Sequence, residues 1–460
     1  MGGLDIAESR DHFRKGGRPW FYLADTVWSA FTNAADQEWT EYLEYRREQG
    51  FSALQINILP QWDRSLGKVF PEPFAVDRRG QWDFDRPNSE YFDRARAMTG
   101  EACRRGFVPA LVLLWCNHAP GTWAASRGLG PQIDAERVEH YIRHAAAVFS
   151  GFDPIYLVSG DTDFKDPQTQ DFYFGALEAL RKAAPHALSA FHLNPDVVLP
   201  NRIVESPGLS FYMYQSGHHV ESQDRSWRLA EQARGYPVRR PIVNGEPCYE
   251  GIQYYQRYGR FSAFDVRRAV WQSLLAGAKA GIAYGAHGLW SWHGPGLHFP
   301  HAETWNQPFH WREALRLPGA SDAAFAKWLF ETCRLHELEP AQELLEGPPE
   351  MSGPVVRGGV GGPQHCDPDL SLPGPCPLQC PVEGLEGDTG GVLHGNPPRQ
   401  GMDRSVADRG CGRRSRPAGQ HRPQDQQGGR SPCAHGSSKI RKISKLRSCL
   451  LYTSPSPRDS

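Results

Sequence analysis

Eight short apolar, β-branched runs alternate with longer stretches of helical period between residues 20 and 336, a pattern that predicts a (β/α)8 TIM barrel. Eight such units in roughly 320 residues fit a closed parallel barrel with insertions. Beyond about residue 347 neither period is sustained, so the barrel is expected to be followed by an unstructured or aberrant C-terminal tail. An open doubly wound sheet is the competing architecture, but no Gly-x-Gly-x-x-Gly turn follows the first strand.

The strands are expected at 20–25, 53–59, 107–115, 154–161, 187–193, 209–215, 241–246 and 281–288. Helices fall between them at 36–49, 88–105, 134–149, 167–184, 222–235 and 262–280, with 322–336 after the last strand; only the fifth unit is short of a helix. In the third helix Val138, Tyr141, Ile142, Ala145 and Val148 form one apolar stripe and Asp134 stands as N-cap. The domains are then an N-terminal lead-in (1–19), the catalytic barrel (20–346) and a low-complexity tail (347–460) that reads as disordered or as no genuine domain. The basic stretch 439–447 and the group His365, Cys366, Cys376 and Cys380 are too irregularly placed to define a nucleic-acid or metal site.

Net charge −1 gives no electrostatic reason to expect nucleic acid or an anionic membrane surface as a partner. The apolar runs are far shorter than the roughly 20 residues of a membrane helix. Residues 1–15 show no apolar leader, which predicts a cytoplasmic protein as written and an exported one if a leader precedes it. Cys103, Cys116, Cys248 and Cys333 are spaced too widely for a disulfide framework or zinc ribbon and read as buried small hydrophobes. No cofactor or metal is expected, and oligomeric state is open. The 14 tryptophans suggest flat apolar faces for ring-shaped ligands as well as core.

A barrel carries its chemistry at the C-terminal strand ends. Those ends present Asp25, Trp28, Asn57, Trp62, Trp115, Asn117, His118, Asp161, Asp163, His192, Asn194, Gln215, His218, Glu246 and His287. Carboxylates, amides and imidazoles that bind hydroxyls, mixed with aromatic faces that pack a sugar ring, are what a carbohydrate site requires. Asp161 closes the fourth strand and Glu246 the seventh, each after an apolar run and a glycine that lets a substrate approach. Such a pair suits glycosidic cleavage, one carboxyl donating a proton and the other attacking or activating water. Asp163 and Glu250 are the rival carboxylates. A metal-dependent hydrolase gathering His118, His192, His218 and His287 is one alternative, although the first strand ends without His-x-His; a non-catalytic carbohydrate-binding barrel is another.

Five segments together resemble the apiosidase-like barrel glycoside hydrolases, bacterial enzymes of pectic polysaccharide breakdown. They are Phe21-Tyr22-Leu23-Ala24-Asp25-Thr26-Val27-Trp28, Tyr42-Leu43 through Gln49-Gly50-Phe51, Tyr212-Met213-Tyr214-Gln215-Ser216-Gly217-His218, Asn244-Gly245-Glu246-Pro247-Cys248-Tyr249-Glu250-Gly251 and Tyr284-Gly285-Ala286-His287-Gly288-Leu289-Trp290. The resemblance implies Asp161 and Glu246 as the catalytic pair and a subsite lined by Asp25, Gln215, His218 and His287; analogy with retaining barrel glycosidases, whose fourth-strand acid faces a seventh-strand nucleophile, predicts retention with Glu246 as nucleophile. Trp28, Trp115, His118, His192, Tyr249 and Trp290 complete the expected substrate-binding set. In this family two glycines usually precede the acid, where this chain has Ser159 and Gly160, and a small β-sandwich commonly follows the barrel.

Overall fold

The structure, a computed structural model, describes residues 3–341 except Gln256. The tail expected from residue 347 onward, with its Cys/His and basic groups, lies outside the described residues.

Eight parallel strands form the barrel: β1 (Tyr22–Thr26), β2 (Ala53–Asn57), β3 (Val108–Trp115), β4 (Ile155–Gly160), β5 (Ser189–Ala190), β6 (Tyr212–Gln215), β7 (Ile242–Glu246) and β8 (Gly281–Tyr284). They run in hydrogen-bonded order β5-β4-β3-β2-β1-β8-β7-β6. The short β5 meets the chain leading into β6 through the Ser210 amide, which donates to the Ser189 carbonyl at 2.9 Å and nearly closes the ring. Every strand residue is buried, as expected when a parallel sheet is enclosed by its own helices.

The helices are α1 (Asp36–Glu48), α2 (Ser89–Arg104), α3 (Ala135–Phe149), α4 (Pro167–Ala183), α5 (Arg225–Arg234), α6 (Ala263–Leu275) and α7 (Gly319–Thr332). Local chemistry sets their starts. The Asn88, Asp134 and Asp166 side chains accept from the amides of Glu90, Arg137 and Gln168, and Pro167 occupies the first turn, where a missing N–H costs nothing. Each such cap contributes about 1 kcal/mol. The stripe of α3 buries Val138, Tyr141, Ile142 and Ala145 as expected, but Ala146 and Phe149 complete it while Val148 is half-buried. Between β5 and β6 the chain makes only the four-residue helix Asn201–Val204, matching the short fifth unit.

Two features depart from the expected element map. Trp20 belongs to an antiparallel meander (Leu4–Ile6, Phe13–Lys15, Arg18–Trp20) rather than to β1, because Phe13 and Trp20 pair across it. Phe13 is fully buried, edge-on to Phe211. A hairpin, Phe74–Val76 with Trp82–Pro87, interrupts the long connection from β2 to α2. Lys279, ahead of β8, clasps the meander to the end of the barrel segment: its Nζ lies 2.8 Å from Asp11 Oδ2, 3.0 Å from Glu339 Oε1 and donates to the Leu338 carbonyl at 2.9 Å. Cys116 and Cys248 are buried, as expected, whereas Cys103 and Cys333 are half-buried. Among the described residues no helix is long and apolar enough to cross a membrane.

Candidate active site

Glu246 is the last residue of β7 and is buried. Gln215, at the end of β6, donates through Nε2 to Glu246 Oε1 at 2.5 Å, and His218 Nε2 lies 2.9 Å from the same oxygen. His218 Nδ1 accepts from the Tyr249 amide at 3.3 Å, which leaves the proton on Nε2 and makes it the donor to Glu246. His192 Nε2 is 3.2 Å from the other oxygen. Burial alone raises a carboxyl pKa; here the His192 and His218 side chains facing it outweigh burial and hold Glu246 well below its ordinary range, ionised.

Asp161 follows β4 with φ +50°, a left-handed conformation uncommon outside glycine and enriched at functional sites. Its carbonyl accepts from Trp123 Nε1 at 2.9 Å, and the His192 ring stands beside its backbone amide. The side chain is 18% exposed, and its Oδ1 finds no partner among the described residues. Burial pushes this carboxyl well above the usual range; the charges of Glu246 and Asp63 add to that, and the Gln215 amide opposes it. One oxygen of Asp161, one of Glu246 and one His192 nitrogen all lie within 4.8 Å of one another. Two carboxyls so close favour one shared proton, and the surroundings assign it to Asp161.

The two glycines serve packing rather than substrate approach. A Cβ on Gly160 would stand 2.0 Å from Trp115 Cε3, and one on Gly245 would stand 2.4 Å from Met213 Sδ. Gly160 thus lets the Trp115 ring lie along β4, where it stacks on His192 at 5.6 Å. Trp28 approaches both Trp115 (5.1 Å) and His192 (5.3 Å) and donates to the Tyr249 hydroxyl at 2.9 Å. Burial and the Glu246 charge push the Tyr249 phenol well up, so it keeps its proton. Ser159, at the position where a glycine was anticipated, donates to the His192 carbonyl at 2.9 Å and fixes the end of β5.

Trp28, Trp115, His192, Gln215, His218 and Tyr249 therefore gather round the two carboxylates. Trp290 and His287 stand behind them, the Trp290 ring 6.2 Å from that of Tyr249, and Asp25 and His118 lie elsewhere. Asp25 is wholly buried on the helix side of β1, 2.6 Å from Arg46 Nε and 2.8 Å from the Tyr42 hydroxyl, which makes it a structural ion pair rather than part of a sugar subsite. His118 is held by the Pro131 and Pro60 carbonyls (2.8 and 3.1 Å). His287 Nδ1 accepts from Trp290 Nε1 and its Nε2 donates to the Asn306 carbonyl at 3.0 Å; burial pushes this imidazole down to about 3, so it stays neutral. His287 and Trp290 form an aromatic wall with Phe299. The four-histidine metal grouping is thereby undone, since two of the four rings are committed to backbone carbonyls. Of the rival carboxylates, Glu250 binds the Tyr284 hydroxyl (2.7 Å) and the Gly319 amide (2.8 Å) that opens α7, and Asp163 faces Lys165 in a turn. Sequence reasoning missed Trp123 and the loop pair Gln61 and Asp63; a carboxylate directly after Trp62 in the loop that follows β2 was the available signal for the latter.

A parallel barrel with one carboxyl raised and one depressed at the ends of its fourth and seventh strands is an arrangement that suits glycoside hydrolysis. The sequence profile of the apiosidase-like catalytic domain matches residues 7–337. The chain belongs to this family and is a glycosidase. No curated protein sequence matches it. Among solved structures it is similar in fold to a protein described as a glycoside hydrolase (20% identity, TM-score 0.63, covering 75% of this chain and 78% of the other). It is equally similar to a glycoside hydrolase family 5 protein from Bacteroides vulgatus (21% identity, TM-score 0.63, 75% of each chain).

Proposed function

We propose that this glycosidase cleaves O-glycosidic bonds of pectic oligo- and polysaccharides with retention of configuration and with apiosidase-like specificity. Glu246 is the nucleophile and Asp161 the acid/base. The observation that carries this is that one oxygen of Asp161 and one of Glu246 lie within 4.8 Å of each other. Retaining enzymes hold their carboxyls about 5 to 5.5 Å apart, whereas inverting enzymes need about 6.5 to 9.5 Å to admit a water between them.

In the first step Asp161 gives its proton to the glycosidic oxygen while Glu246 attacks the anomeric carbon, forming a glycosyl ester and releasing the aglycone. Asp161, now ionised, takes a proton from water as that water attacks the same carbon, and Glu246 leaves as carboxylate. Gln215 and His218 hold Glu246 ionised and oriented. Asp161, His192 and Glu246 are also spaced for a cation, so the assay includes a chelator arm. Wild type, Asp161→Asn and Glu246→Gln are incubated with pectic oligosaccharides and with 4-nitrophenyl glycosides, the β-D-apiofuranoside among them. Wild type should release sugar with or without chelator, and each variant should lose about 100- to 10,000-fold in kcat/KM. Variants that match wild type refute the assignment, and loss of activity to chelator favours the cation.

A further inference from the structure

The backbone of Asp161 decides where its carboxyl stands. Its φ of +50° is a conformation that a residue with a Cβ keeps only when its surroundings over-determine it. Rotation about the N–Cα bond swings the side chain and the carbonyl together, so whatever fixes the carbonyl also fixes the carboxyl. Two side chains grip the peptide groups of Asp161: His192 Nδ1 lies 3.4 Å from its amide nitrogen, and Trp123 Nε1 donates to its carbonyl at 2.9 Å. His192 also faces Glu246, whereas the Trp123 indole commits its one N–H to the Asp161 carbonyl. The indole is itself anchored. Trp123 opens the helical turn Trp123–Ser126, whose N-cap Thr122 accepts from the Ala125 amide at 3.1 Å and donates to the Cys116 carbonyl at 2.5 Å. Thr169 of α4 donates to the Pro120 carbonyl at 3.0 Å and ties the same loop to the helix that follows β4. Trp62 meets the Trp123 ring edge-on at 5.6 Å, and the Arg127 guanidinium lies 5.3 Å from its centroid.

We propose that Trp123 is a positioning residue for the acid: by holding the Asp161 carbonyl, its N–H keeps the carboxyl aimed at the glycosidic oxygen. This rests on the acid/base role of Asp161 proposed above. A misplacement of about 1 Å can cost a catalytic group about 100-fold in rate, so one hydrogen bond to the backbone acts here through geometry. Its loss is selective. A leaving group that departs only when protonated feels the displaced acid, whereas one that departs as a stable anion does not. A tryptophan that only packed the loop or stacked on the sugar would affect both substrates alike.

The test replaces Trp123 by phenylalanine (Trp123→Phe) and, to keep the shape of the indole, by benzothienylalanine, in which sulfur stands where the N–H was. For wild type, both variants and Asp161→Asn, kcat/KM is measured on the phenyl and 2,4-dinitrophenyl glycosides of the sugar that wild type releases, with thermal unfolding to verify each fold. Both Trp123 variants should lose about 10- to 100-fold on the phenyl glycoside and less than about 3-fold on the dinitrophenyl glycoside, the pattern that Asp161→Asn shows in stronger form. Equal losses on the two substrates, or none on either, in folded Trp123 variants overturn the positioning role while a selective Asp161→Asn leaves the mechanism standing. Equal losses in Asp161→Asn contradict the acid assignment itself and the role of Trp123 with it.

Discussion

Replacing His218 by alanine removes one of the donors that keep Glu246 ionised. Glu246 Oε1 receives Gln215 at 2.5 Å and His218 at 2.9 Å, while His192 stands 3.2 Å from Oε2. A hydrogen bond to a charged acceptor contributes about 1.5 to 3 kcal/mol, and one pKa unit corresponds to about 1.4 kcal/mol, so its loss raises the Glu246 pKa by about 1 to 2 units. The sign follows from the partner: these donors stabilise the carboxylate, the folded pKa lies below the ordinary value, and removal moves it upward. In a profile of kcat/KM against pH the acid limb, set by Glu246 in the free enzyme, shifts up by that amount, while the basic limb, set by Asp161, moves less. The same linkage appears in stability. A depressed carboxyl stabilises the fold above its unfolded pKa and loses that stability as pH falls through the folded pKa, so the variant should be less stable than wild type at neutral pH. Superimposable acid limbs for a folded His218→Ala and wild type refute the coupling.

Asp161→Asn should abolish the basic limb, which in wild type lies above the ordinary carboxylate range because burial and the Glu246 charge raise Asp161; pH profiles on an activated aryl glycoside decide this. Gly160→Ala should cost about 1 to 3 kcal/mol in denaturant unfolding and reduce kcat/KM, since the new methyl must displace the Trp115 ring. Asp25→Ala should cost about 3 to 5 kcal/mol by stranding the Arg46 guanidinium, without the KM change that loss of a sugar contact produces. Lys279→Ala should lower stability by about 1 to 3 kcal/mol, the smaller figure reflecting the exposure of Glu339, and unfolding at neutral pH measures it.

The barrel was legible because its strands are continuously apolar and its helices carry stripes and caps, signals that depend on neighbouring residues only. The positions of Asp161 and Glu246 at one end of the barrel were legible for the same reason, each being the acid at the end of a buried strand. Whether a strand-end residue points into the barrel mouth or outward to a helix is not local. Asp25 follows the same pattern as Asp161 and Glu246, and Glu250 lies four residues beyond β7, yet Arg46 on α1 and the Gly319 amide of α7 claim them. Likewise the glycines before the two acids suggested access, and their reason turned out to be Trp115 and Met213 on adjacent strands. Asp63 escaped notice because acids in a loop are usually solvated; only the fold reveals that one of its carboxyl oxygens is buried.

The most direct test of the mechanism is to trap its intermediate. Asp161→Asn is mixed with a 2,4-dinitrophenyl glycoside of the sugar that wild type releases; this leaving group departs without acid help, whereas the second step still requires a base. Mass spectrometry of the digested protein should find the peptide containing Glu246 heavier by one glycosyl residue. A burst of dinitrophenol with no adduct, or an adduct on another carboxylate, contradicts the assignment of Glu246 as nucleophile.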